Sequence, residues 1–182
     1  MKIQLQQPYP LLAPAPAAVI SVGSNQSGDN LITLSWIGVA CSEPPQISIG
    51  VRRTGRHSYN ILLENAEFAV NIPHHSQEKQ VSICGTLHGD KVDKWQETGL
   101  TKQESKIISV PIIKEFPVNL ECVIRHRVEL GSHDLFIGEV VTTHIDDSIL
   151  KDGVIDIAQF SPLSYIPKVS RYFHLDCSGN QS

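Results

Sequence analysis

Three arginines, Arg52, Arg53 and Arg56, lie just ahead of residues 58–65, which have the pattern of a short helix. A helix start leaves amide N–H groups unpaired and carries the positive end of the helix dipole. Guanidinium and hydroxyl groups placed there, with Ser58 as the expected N-cap, complete a cradle for a small phosphate. The glycine spacing and lysine of a P-loop are absent. Upstream, Thr33, Leu34, Ser35 and Trp36 offer strand amides and small hydroxyls beside an indole. Ala40, Cys41 and Ser42 then precede Glu43-Pro44-Pro45, a turn whose small residues let backbone approach a ligand closely. The combination suits a flat heteroaromatic ligand that carries a phosphate. Each piece also has a plain reading: a strand with a core Trp, a turn between strands, a solvated basic loop.

Further along, Asn71 closes a strand before Pro73, Cys84-Gly85 ends a helix, and Lys91, Asp93 and Lys94 form a charged loop. Lys91 and Lys94 are candidates to reach a ligand phosphate, with Asp93 anchoring the loop; a solvated loop is the alternative. His133 sits in the expected turn at 131–134, where it would face a ligand, a partner subunit or its own loop. His74-His75 and His88 do not make a metal site, because adjacent residues on a strand point opposite ways and no carboxylate completes the set. The cysteines Cys41, Cys84, Cys122 and Cys177 form no CxxC, so zinc and disulfides are not expected. Cys41 has no evident base partner to make it a nucleophile.

Alternation places strands at 18–22, 31–39, 46–52 and 67–72, and a long hairpin at 118–128 and 135–145. A turn is expected at 25–30, short helices at 58–65 and from Ser76 to near Gly85, and a helical turn around Trp95. Residues 107–113 and 162–166 are weaker strand candidates. Residues 1–17 read as an extended, Pro-rich lead-in on the surface, and a polar tail runs from 176 to 182. Several short strands without βαβ alternation favour a closed β-barrel with helical insertions, in one domain spanning 1–182.

The 182 residues are 41% hydrophobic and 19% charged, with a net charge of −4. That balance is globular and argues against a general nucleic-acid binder. The apolar run at 11–22 is broken by Pro14 and Pro16, and no run reaches a membrane span. A cytoplasmic location is the expectation.

In this order the pieces resemble the flavin reductase-like family, the flavoredoxin group of FMN-binding split barrels. The resemblance is carried by NLITLSWIGVACSEPP, SIGVRRTGRHSYNILLENAEFAVNIP, CG followed by KVDKW and GL, and PVNLECVIRHRVELGSHDLFIGEV. PLSYIPKVSRYF matches more loosely, and the whole covers roughly residues 8–175. It implies a mainly β, Greek-key-like split barrel and a homodimer with FMN near the subunit interface. It assigns Thr33, Leu34, Ser35 and Trp36 to the flavin ring, and Ala40, Cys41 and Ser42 to the ring and ribityl chain. Arg52 and Ser58 would hold the phosphate with help from Lys94. Asn71, Cys84 and Gly85 would line the pocket, and His133 would close it. The implied activity is hydride transfer from NADH or NADPH to FMN, which needs no acid–base residue from the protein. The alternative is a flavoredoxin-type electron-transfer or flavin-carrier protein, and a partner oxygenase or electron-transfer protein is possible in either case. One departure stands out: where the family often has Gly-Gly before Arg-Tyr, this chain has Pro167-Lys168-Val169-Ser170 before Arg171-Tyr172.

Overall fold

The computed structural model describes residues 1–174; the polar tail and Cys177 lie outside them. Seven strands form one antiparallel sheet: β1 (Ala18–Ser24), β2 (Gly28–Leu34), β3 (Ile37–Ser42), β4 (Pro45–Arg52), β5 (Glu67–Ile72), β6 (Val118–Glu129) and β7 (His133–Ile145). Their order is β2-β1-β5-β6-β7-β4-β3. The two edge strands are therefore consecutive in sequence. The chain crosses from one edge to the other through Ser35 and Trp36, and the Trp36 carbonyl accepts the Gly50 N–H of β4 at 2.7 Å. The sheet curls until its edges face each other across this two-residue seam, without a ladder of hydrogen bonds closing it. This is the expected mainly β split barrel. The single strand expected at 31–39 is instead two strands on opposite edges, because apolar–polar alternation runs through the seam and hides the change of partner.

Alternate residues sort the strands into two layers. Ile20, Val22, Ile32, Ile49, Phe68 and Phe136 fill the barrel interior with Ile61 and Leu62 of α1 (His57–Glu64). Gly138 belongs to this packing, since a Cβ there would sit 2.6 Å from the Phe68 ring. Bulges beside Gly138 and Val140 bend the β6–β7 hairpin around that ring. Facing outward, Val19 and Leu31 pack against Val81 and Cys84 of α2 (Glu78–Thr86) and Trp95 of α3 (Lys94–Thr98).

Several local expectations shift. Arg56, not Ser58, occupies the cap position of α1, without a side-chain cap bond. At the next helical segment His74 replaces Ser76 as the cap: its ring accepts the Ser76 N–H, and Gln77 closes the capping box. Because a 3-10 turn begins there, the His74 and His75 rings come within 4.0 Å of each other rather than pointing apart. Of residues 107–113, only Ile112–Ile113 is a strand. The preceding loop is held by the buried Glu121 carboxylate, which accepts the Lys106, Ile107 and Ile108 N–H groups at 2.7, 2.7 and 3.1 Å and meets His144 Nε2 at 2.6 Å. Burial pushes this carboxyl up, but these donors outweigh it and hold the group below its ordinary range.

The lead-in is not wholly on the surface. Ala15–Pro16 pairs with Ser164–Ile166, which pairs with Arg171–Phe173. This small sheet brings Tyr165 and Tyr172 beside the seam. Among the described residues, no helix is long and apolar enough to cross a membrane.

Candidate functional site

The seam opens onto a cleft of about 310 Å³ lined by Thr33, Leu34, Ser35, Trp36, Arg52, Arg56, His133 and Tyr165, with the exposed Tyr9 of the lead-in also in its lining. A second hollow of about 230 Å³ shares Thr33, Ser35, Arg56 and Tyr165 and extends to Gly85, Thr86 and Tyr172. Together they form one site whose lining combines two chemistries. Part of it is aromatic: Trp36, 47% exposed, stacks on His133 with ring centroids 4.3 Å apart. Part is cationic, with Arg52 and Arg56 ahead of α1.

Strand register brings the two linings together. His133 pairs directly with Arg52 across β7 and β4, so both side chains emerge on the same face. Arg53, one residue on, turns the other way and donates from Nε to the buried Asp134 carboxylate. Asp134 also accepts from Tyr59 Oη at 2.8 Å and Arg127 Nε at 2.7 Å. Burial raises the Asp134 carboxyl, but Arg127, Tyr59 and Arg53 together draw it below the ordinary range, so it stays charged. This anchor locks the Arg52–His133 register. It thereby sorts the arginine cluster: Arg53 is spent on structure, and Arg52 has no ion-pair partner among the described residues. Arg56 donates to the Gly85 carbonyl at 3.3 Å, which sets its guanidinium on the cleft wall.

Gly85 permits the close approach that shapes this wall, since a Cβ there would lie 3.3 Å from Thr33 Cβ. The Thr33 hydroxyl is occupied, donating to Val81 O at 2.5 Å. The Ser35 hydroxyl, which faces both hollows, has no hydrogen-bond partner among the described residues. It is the free neutral polar side chain beside the seam.

The positive field of the corner registers on His133. Burial lowers its pKa first, and Arg52 and Arg56 lower it further. The imidazole is thus neutral at neutral pH. Removing a guanidinium should let it rise: in Arg56→Ala, titration of the His133 ring protons by NMR is expected to give a higher pKa than in the parent. An unchanged value would mean that the corner does not act on His133. By linkage, an anion seated between these groups also raises that pKa, so its binding takes up a proton and strengthens as pH falls through the range between the free and bound values.

Thr33, Leu34, Ser35, Trp36, Arg52, His133 and Gly85 are thus gathered in one site. Seven other candidates are not. Ser58 is buried inside α1, its Oγ accepting from Asn30 Nδ2 at 2.8 Å. Asn71 is fully buried: Nδ2 donates to Val19 O and Ser21 Oγ, while Oδ1 accepts from Ile113 N and Asn119 Nδ2. Cys84 is buried in the outer layer, where burial pushes its thiol up to about 12, leaving it inert. Lys94 donates from Nζ to Leu31 O and Cys84 O, both at 2.8 Å, and burial draws it down to about 8, with Arg56 adding to the shift. It pins α3 to α2 and β2 from behind the cleft wall. Ala40, Cys41 and Ser42 lie at the far tip of the β3–β4 hairpin, away from the Arg52 end. Arg56, named in the sequence with the arginine cluster, lines the site as well, and Tyr9, Tyr165 and Tyr172 join it without having been site candidates.

The description "Flavin reductase like domain" is that of a family model that matches residues 12–174. The chain belongs to this flavin reductase-like family. It is 37% identical over 129 residues to an uncharacterized protein of Archaeoglobus fulgidus, covering 70% of this chain and 71% of the relative. Among solved structures, the flavoredoxin of Desulfovibrio vulgaris (Miyazaki F) superimposes with a TM-score of 0.88 at 28% identity, over 97% of this chain and 94% of that one. Nitrilotriacetate monooxygenase component B from Bacillus cereus gives 0.83 at 26% identity, over 91% and 86%. The overall fold of this chain is therefore one it shares with these two solved structures.

Proposed function

We propose that the chain binds FMN in the seam cleft and works as an NAD(P)H-dependent flavin reductase. The observation that carries this reading is the combination, in one cleft, of a stacked Trp36–His133 platform and the Arg52–Arg56 cluster ahead of a helix start. A planar ring system with a phosphate on a flexible chain matches both, so the residues present fit FMN. The flavin, when bound, supplies the redox chemistry by accepting hydride from a nicotinamide. The chain's own groups do the rest. Arg52 and Arg56 neutralise the phosphate, and the α1 start adds its dipole. Ser35 offers a hydroxyl to the ring edge, Gly85 keeps the wall flat, and Trp36 and His133 screen one side from water.

A second reading, a flavoredoxin-type carrier reduced by a protein partner, is favoured by the closeness of the flavoredoxin fold. A partner oxygenase belongs with the first reading, by analogy with the monooxygenase component neighbour. We also take the protein to be a homodimer with flavin near the interface. An apolar groove of about 310 Å³ beside the seam, lined in part by Ile37, Val39, Ile47 and Phe160, supports this, and Val39 is 81% exposed at its rim.

Reconstitution with FMN followed by anaerobic addition of NADH and NADPH tests the function. Bleaching of the visible flavin band by either nucleotide is the expected result and names the donor. A yellow protein that neither nucleotide reduces would overturn the reductase in favour of the carrier.

A further inference from the structure

Lys168 has φ +68° and Ser170 has φ +55°, both in the left-handed region that glycine occupies without cost. Two residues that carry side chains thus hold a turn conformation that glycine would favour. The turn is closed by the Ser170 N–H donating to Ile166 O at 3.1 Å, and the buried Pro167 before it lines the cleft. Non-glycine residues persist in such conformations where the surroundings hold them, and often where the side chain has work to do. The Lys168 ammonium lies 4.5 Å over the ring of Tyr9. Tyr9 in turn lines the same cleft as Trp36, Arg52 and His133.

We infer that Tyr9 and Lys168 form a clasp holding the Pro-rich lead-in across the cleft mouth, and that the clasp sets how readily a second planar ligand enters above a bound flavin. The part concerning the flavin rests on the function proposed above; the clasp itself does not. Two further observations make the lead-in a strap rather than a fixed wall. Among the described residues, its hydrogen bonds upstream of Ala15 are local, Leu11 N–H to Tyr9 O and Leu12 N–H to Pro10 O. Between it and Trp36 lies a hollow of about 260 Å³ bounded by Pro10, Leu12, Pro14 and Pro167, and Leu12 remains 81% exposed. Little apolar burial therefore ties the strap down. Its firm attachment begins where Ala15 pairs with Tyr165, which puts the hinge just upstream.

The test uses the full chain with Tyr9→Ala, Tyr9→Phe and Lys168→Gly. The first readout, acrylamide quenching of Trp fluorescence, needs no flavin: Trp36 is exposed at the cleft and Trp95 is buried. Loss of a single exposed cation–π contact shifts an open–closed balance by about two- to fivefold, so Tyr9→Ala and Lys168→Gly should raise quenching above the parent's, by less than that factor because Trp36 is already half exposed and Trp95 is buried. Tyr9→Phe keeps the ring and should quench like the parent. Lys168→Gly should also hold or raise the melting temperature, since it relieves the left-handed strain while opening the strap. With FMN loaded, the two opening variants should be reduced faster by the nicotinamide that serves as donor, and Lys168→Gly, whose side chain is outside the cleft lining, should keep FMN affinity close to the parent's. Parental quenching in both Tyr9→Ala and Lys168→Gly would overturn the clasp. Raised quenching with parental reduction rates would overturn its control of entry. Failure of every variant and the parent to bind FMN would defeat the flavin reading and leave the quenching result to judge the clasp alone.

Discussion

Replacing both Arg52 and Arg56 with alanine is expected to abolish useful FMN binding. Each guanidinium offers a charge-assisted hydrogen bond to the phosphate, worth about 1.5–3 kcal/mol. The single variants should therefore weaken FMN binding by roughly 10- to 150-fold each. Losing both costs about 3–6 kcal/mol if the two act independently. Neither arginine makes an ion pair with the protein among the described residues, and Arg56 gives up one long hydrogen bond to Gly85 O. The fold should tolerate the change, so melting temperature and FMN affinity separate. Arg53→Ala is the counter-case. Its guanidinium serves Asp134 and Glu129, so it should lower stability and affect FMN only through the Arg52–His133 register. Fluorescence titration of free FMN against each variant decides between them. An affinity that falls with Arg53 and not with Arg52 or Arg56 would reverse the assignment.

The second large effect is on stability. Asn71→Leu is expected to cost the fold on the order of 2–5 kcal/mol, because the substitution strands several buried partners at once. The Ile113 N–H and Val19 carbonyl lose their side-chain partner, and Asn119 Nδ2 keeps only its bond to Ile113 O. Those bonds stitch β1, β5, β6 and the Ile112–Ile113 segment together, behind the barrel wall and away from the cleft. Chemical denaturation should show a lower midpoint with little change in slope. FMN affinity of the folded fraction should match the parent. A stable Asn71→Leu protein with weakened FMN binding would instead put Asn71 in the pocket wall.

The contrast between Asn71 and Arg56 shows how far the sequence carried. Strand alternation is a strong signal, and β4, β5 and the β6–β7 hairpin stand close to where alternation puts them. The cluster Arg52, Arg53 and Arg56 was visible as an anion site, but not which arginine does what. That depends on Asp134, a buried carboxylate on the neighbouring strand β7, which claims Arg53 across 81 residues of sequence. Polar residues near a motif are read from sequence as exposed and available. Ser58, Asn71 and Lys94 are instead consumed by buried partners, Asn30 Nδ2, the β1 and β6 edge groups, and the Leu31 and Cys84 carbonyls. Nothing local marks a lysine after Asp93 as 3% exposed. The Ser35–Trp36 seam was likewise hidden, because it is defined by which strands pair and not by the residues in it. Tyr9 was passed over because a Pro-rich lead-in offers no period from which to place it.

The central claim is that one FMN occupies the seam cleft, ring toward Trp36 and His133 and phosphate at Arg52 and Arg56. The most direct measurement is a crystal structure of the protein grown with FMN. The account predicts ligand density along Thr33–Trp36, with its phosphate in contact with both guanidiniums and the start of α1. A flavin bound with its phosphate at Lys94, at the Ala40–Ser42 hairpin tip or in the apolar groove at Val39 would contradict it.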